Sequence, residues 1–230
     1  MIEPEKPKKG WGWLQWGVVL VIILLGLGLC QHLYKYTSHM AESTMASNNC
    51  RQITMALKIW ASENNGVFPD ASLLPTATSN QAFRKLIQED IIQDERIFGS
   101  KFSPFVPDGD IGTAPDFLKA LQAGENHWML IGGLRMDSLA HCPLIMENSL
   151  NAAWPPSWKK GKQSKAVRGR AWYGRSANKG HIIVGCLDNS VSFVQLMERG
   201  DELVLPASIL NPPGEQALPP LRILDIEEKK

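Results

Sequence analysis

The densest local chemistry in this 230-residue chain lies between Trp154 and Gly180. Lys159, Lys160, Lys162, Lys165, Arg168, Arg170, Arg175 and Lys179 fall there without a single Asp or Glu, and Trp154, Trp158, Trp172 and Tyr173 are interleaved with them. Clustered positive charge attracts phosphate or sulfate backbones through salt-sensitive electrostatics. Aromatic rings among the charges add stacking on bases or sugars, worth about 1–3 kcal/mol per base in nucleic-acid cases. Lys159, Lys160, Lys162, Lys165, Arg168, Arg170, Arg175, Trp158 and Trp172 are therefore candidate polyanion-binding residues. Extracellular DNA, sulfated or sialylated glycans and anionic lipid headgroups are the candidate ligands. The competing reading is a solvated insertion loop whose charges keep it soluble.

Other reactive residue types are sparse. Four cysteines, Cys30, Cys50, Cys142 and Cys186, are few for a disulfide scaffold. Cys142 begins one expected strand and Cys186 ends another, so the two meet as a disulfide if those strands are antiparallel neighbours. Cys50 is the rival partner, and one cysteine is left over in any pairing. The histidines at 32, 39, 127, 141 and 181 show no metal-ligand spacing. His141-Cys142 are adjacent, and adjacent strand residues face opposite sides. Asp108 and Asp110 flank Gly109 in a stretch that lacks the remaining ligands of a calcium loop, so a turn is expected. No nucleophile elbow, zincin helix or phosphate loop occurs. The chain is read as non-enzymatic, with no catalytic residue, no metal site, no cofactor and no small-molecule substrate.

The element that must position everything else is Trp11–Cys30. It has no charged residue from Trp16 to Cys30, and Val18–Leu25 is an unbroken aliphatic run. Extended to Tyr36, the low-charge segment is long enough to cross a hydrocarbon core, which takes roughly 20 residues of helix. Trp11, Trp13 and Trp16 at one end and Tyr34 and Tyr36 at the other fit two interfacial aromatic belts. Lys6, Lys8 and Lys9 precede the run, whereas only Lys35 follows it before Arg51. The positive-inside rule then places the N-terminus in the cytoplasm and the rest outside. Net charge is +1, which supports no global charge argument.

Beyond the span, Ala46, Cys50, Ile53, Leu57 and Trp60 recur at three- and four-residue steps and predict one apolar helical stripe. Asn64-Asn65-Gly66 and Pro69 predict its end. A basic leader ending in Lys9-Gly10-Trp11, an apolar span and an amphipathic continuation resemble type IV prepilins and type II secretion pseudopilins. Gln15 stands where that family has Glu, five residues after the glycine. The run Asn48-Asn49-Cys50-Arg51-Gln52-Ile53, with Ala56-Leu57, Trp60-Ala61 and Asn64-Asn65-Gly66-x-x-Pro69, resembles prepilin-type proteins abundant in Planctomycetes and Verrucomicrobia. The turn Asp188-Asn189-Ser190 resembles the turn in that family's C-terminal hairpin. The resemblance implies processing between Gly10 and Trp11 with N-methylation. It also implies a bacterial inner-membrane location, pilin-like partner subunits, and a role in type IV pilus or type II secretion assembly.

Further along, Gln81–Gln93 suits a short helix, with Ser79 or Asn80 as N-cap. Ile97 and Phe98 return to the core. Ser103–Pro115 reads as loop, and Pro115–Leu121 as a short helix opened by its proline. Trp128–Ile131, Pro143–Met146, His181–Leu187 and Val191–Leu196 read as strands, the last two joined in a hairpin. The Pro-punctuated tail either lies across the domain or adds an edge strand. The expected organisation is a leader over 1–10, a transmembrane helix over 11–34, an α+β pilin-like ectodomain over 35–200 and a Pro-rich tail over 201–230. In it, a long N-terminal helix packs on an antiparallel sheet. The function read from this is a pseudopilin-like or minor-pilin-like component of an envelope assembly or secretion system, with the membrane and other pilin-like subunits as partners. The alternative is an anchored ectodomain that binds an anionic polymer through 154–180.

Overall fold

The computed structural model describes residues 12–101, 103–159, 180–210 and 221–229. The fold class is α+β. One long helix, α1 (Trp13–Glu63), is followed by α2 (Ser79–Gln88) and then by strands that all pair antiparallel. Contacts divide the chain into two units, 1–42 and Ser43–Lys230.

The described part of the first unit is helical. Its apolar side chains point outward on every side, from Trp13 and Leu20 through Leu25 and Leu27 to Tyr34. No polar face interrupts them, so nothing within the unit covers this surface. Thr37 satisfies its hydroxyl inside the helix, donating to the carbonyls of Leu33 at 3.0 Å and Tyr34 at 3.1 Å.

In the second unit the expected stripe is the buried one. Ala46, Cys50, Ile53 and Leu57 are buried and Trp60 is half-buried, with Lys85 5.8 Å above its ring. Helix α1 stops where Asn65 and Gly66 turn to positive φ, at 55° and 75°. The amide of Gly66 closes the end on the Ala61 carbonyl at 2.8 Å.

The main sheet has the order β5-β4-β2-β1-β8, built from β1 (Trp128–Gly132), β2 (Pro143–Glu147), β4 (His181–Cys186), β5 (Val191–Gln195) and β8 (Arg222–Leu224). Strands β1 and β2 are buried at every residue, so both faces of the sheet are covered there. Helix α1 lies against one face at Gly185. A Cβ at that position would sit 2.7 Å from Thr54 Oγ1 and 2.9 Å from Cys50 Sγ. Glycine is what permits this approach. The hairpin between β4 and β5 turns on Asn189 at φ 70°, and Asp188 Oδ1 accepts from the Ser190 amide at 2.8 Å. Asparagine tolerates that conformation, so the turn holds without glycine.

Several expectations give way. A second sheet, β3-β7-β6, forms from β3 (Ser157–Lys159), β6 (Met197–Arg199) and β7 (Glu202–Val204). Its strands are three residues long, too short to leave a periodic pattern. The N-cap of α2 is Thr78, one residue earlier than expected, and it forms a capping box with Gln81. The helix ends at Gln88 because Asp90 adopts φ 56°. Pro115–Leu121 is turn and not helix, since Phe117 and Leu121 both take positive φ.

The described residues of the tail, 202–210 and 221–229, include β7 and β8. Its last stretch adds the edge strand β8 against β1, with Ile223, Leu224 and Ile226 in the core. Buried Asp70 accepts from Arg222 at 3.0 Å and from the Gly133 amide at 2.8 Å, which locks that edge. Asn80 bridges the carbonyls of Leu121 and Gln122 to the Glu227 amide.

Candidate functional site

Two surfaces and one buried cluster stand out. The first surface is the opening stretch of α1. From Trp13 to Tyr34 it spans about 33 Å at 1.5 Å per residue, against about 30 Å of hydrocarbon. It is the one helix among the described residues long and apolar enough to cross a membrane. Gln15, at the position where the resembled family carries Glu, turns its Oε1 back to accept from the Gly12 amide at 3.0 Å. It therefore serves as a cap for its own helix start, satisfying a donor the helix leaves open. Gly10 and Trp11, the expected processing residues, lie outside the described residues.

The second surface lies on the outward face of α1 in the second unit. Met55 and Ile59 stand exposed at 49% and 47%, between two shallow grooves. One groove, about 410 Å³, runs between α1 and the Asp90–Ile97 segment. The other, about 300 Å³, is bounded by Lys58, Ser62 and Asn189.

The buried cluster ties three strands of the main sheet together. His127 Nε2 lies 3.1 Å from Glu147 Oε1, and both side chains are sealed from solvent. The other Glu147 oxygen accepts from the Ile183 amide at 3.0 Å. Asn148 Nδ2 approaches His127 Nδ1 at 3.1 Å and donates to the His127 carbonyl at 2.9 Å. An amide donor at Nδ1 makes that nitrogen the acceptor, so Nε2 carries the proton and donates it to the carboxylate. With no solvent path, the pair acts as a clasp among β1, β2 and β4. Sequence spacing gave no hint of it. His127 and Glu147 are twenty residues apart and meet only through the β1–β2 register, Trp128 opposite Glu147.

The expected polyanion residues fare unequally. Lys160, Lys162, Lys165, Arg168, Arg170, Trp172 and Arg175 lie outside the described residues. Lys159 is exposed at the end of β3. Trp158 is a correction: it is 2% exposed, and its Nε1 donates to the Asn148 carbonyl at 2.8 Å. A ring packed in the core offers no face for stacking on a ligand, so Trp158 positions the root of the basic segment instead.

The expected Cys142–Cys186 disulfide is also corrected, because all four cysteines are thiols. The two strands are antiparallel neighbours as expected, but Pro143 is the residue opposite Cys186. Cys142 thus sits one rung away from Cys186, where side chains alternate faces. Burial pushes the Cys186 thiol up to about 11, against a partial pull downward from Ser190. Asp108 and Asp110 form the expected turn, with the Asp110 amide donating to Asp108 Oδ1 at 2.7 Å. Among the described residues no group of three or more His, Cys, Asp or Glu is arranged to hold a metal. Comparison with protein-family models, with curated proteins and with solved structures yields no match.

Proposed function

We propose that this protein is a membrane-anchored, non-enzymatic, pseudopilin-like component of a bacterial envelope assembly or secretion system. One observation carries the reading. In the first unit α1 presents an uncovered apolar surface, and in the second unit one stripe of α1 is buried against an antiparallel sheet. An exposed apolar surface of that extent needs a hydrocarbon or helical partner. The reading adds a cytoplasmic N-terminus and an exported ectodomain, from the Lys6, Lys8 and Lys9 excess before the span. Gln15 caps its own helix, so assembly, where it occurs, proceeds without the carboxylate of the resembled family.

The test is the mass of the mature N-terminus in protein isolated from host membranes. A chain beginning at Trp11, N-methylated, supports prepilin-type handling. A chain still carrying residues 1–10 removes the assembly role and leaves a permanent anchor. A second reading, capture of an anionic polymer, keeps exposed Lys159 and the basic residues after it. It predicts an affinity that falls steeply with ionic strength.

A further inference from the structure

The two grooves on the second unit flank the same ridge, Met55 and Ile59, from opposite sides. Their chemistry differs. On one side Lys58 and Asn189 border the ridge, and on the other Asp90 and Asp94 do. Asp94 is held by Arg96 at 2.9 Å, which leaves Asp90 as the acid facing the groove. We propose that this face pairs two copies of the chain side by side, around a two-fold axis parallel to the part of α1 that lies in the second unit. The inference rests on the membrane-anchor reading, because an anchor brings copies of the chain together in one membrane.

The geometry of a two-fold supplies the rest. Rotation by half a turn about an axis parallel to the helix brings the Lys58 side of one copy against the Asp90 side of the other. The pair is therefore charge-complementary twice over, and each copy's apolar ridge lies against the other's, as an isologous interface requires. An antiparallel two-fold would instead set Lys58 opposite Lys58 and Asp90 opposite Asp90. The patch is small, so the association is weak in solution. Confinement to a membrane raises the effective concentration enough to populate it.

The test uses the full chain in membranes, with Cys30→Ser to remove the exposed thiol. Ile59→Cys is expected to form a disulfide-linked dimer under mild oxidation, and Gln88→Cys, on the outer face of α2, is not. Lys58→Glu sets an acid against Asp90 and lowers the Ile59→Cys dimer yield by about three- to fivefold. Adding Asp90→Asn, which suits the positive φ at that position, relieves the repulsion and restores most of the yield. Absence of dimer in chain retained by carbonate-washed membranes overturns the pairing alone. So does equal cross-linking through Gln88→Cys, or indifference to Lys58→Glu. Loss of the chain from the washed membranes overturns the anchor reading and the parallel pairing with it.

Discussion

Replacing Gly185 by alanine tests whether the second half of α1 is seated on the sheet as described. Its φ lies outside the left-handed region, so alanine is sterically allowed by the backbone. Where nothing else intervenes, such a change stabilises by about 0.4–1 kcal/mol through the unfolded chain. Here the new methyl would meet Thr54 Oγ1 at 2.7 Å, Cys50 Sγ at 2.9 Å and Ile145 Cγ1 at 3.1 Å. None of the three yields easily. Thr54 is pinned by its bond to the Cys50 carbonyl at 2.9 Å, and all three are buried. Overpacking by one methyl costs about 1–3 kcal/mol. For a domain of this size that is a fall of about 2–12 °C in Tm. Thermal unfolding of the full chain in detergent, followed by tryptophan fluorescence, reads the shift. Thr54→Ala in the same chain removes the nearest clash, so the double variant loses less than the two single losses added together. A Gly185→Ala chain as stable as the parent, or more stable, would refute the close helix-on-sheet approach.

Arg222→Gln should destabilise the chain by about 1–3 kcal/mol at neutral pH, since it strips the buried Asp70 carboxylate of its charged partner. Burial already holds the Asp70 pKa above 3.8, against the opposing pull of Gly133 and Arg222. Its contribution to stability is fully present below 3.8 and is lost as pH rises through the folded value. Arg222→Gln raises that value further, so the mutant's deficit should shrink as pH falls through the two folded values towards 3.8, as urea titrations across pH would show. Cys186 contributes in the same direction at the alkaline end: its folded value of about 11 lies above the ordinary 9.0, so its share of stability drains away between those limits. At pH 8 Cys142 and Cys186 should resist alkylation until denaturant is added, as peptide mass mapping would reveal. Trp158→Ala should cost about 3–5 kcal/mol by chemical denaturation. Lys159→Glu, an exposed change, should leave stability within about 0.5 kcal/mol.

The long apolar helix and the buried stripe were legible because each repeats one physical pattern over many residues. Cys50, Ile53 and Leu57 recur with the helical period and are the residues that pack. The four long strands were legible for the same reason, and Asn189 marked its turn through the conformation it tolerates. The short second sheet was not, because strands such as Ser157–Lys159 hold their place through partners 43 to 47 residues away. Trp158 was misread from company: aromatic residues among lysines look alike whether the ring faces a ligand or the core. Burial of the ring and its bond to Asn148 separate the two. The outward pair Met55 and Ile59 did carry a signal, being apolar residues off the buried stripe, but its meaning depended on the grooves beside them. The His127–Glu147 clasp needed the strand register before it existed at all.

Anchoring, orientation and side-by-side pairing all require the opening stretch of α1 to be a membrane span. The most direct measurement is alkaline carbonate extraction of host membranes, with external protease applied in parallel to intact spheroplasts. A chain anchored by α1 stays in the pellet. Protease added from the outer side should remove the ectodomain and leave a short fragment that contains the span and the cytoplasmic leader. Release of intact chain into the carbonate supernatant would contradict this arrangement, and so would complete protection of the ectodomain from protease on the outer side.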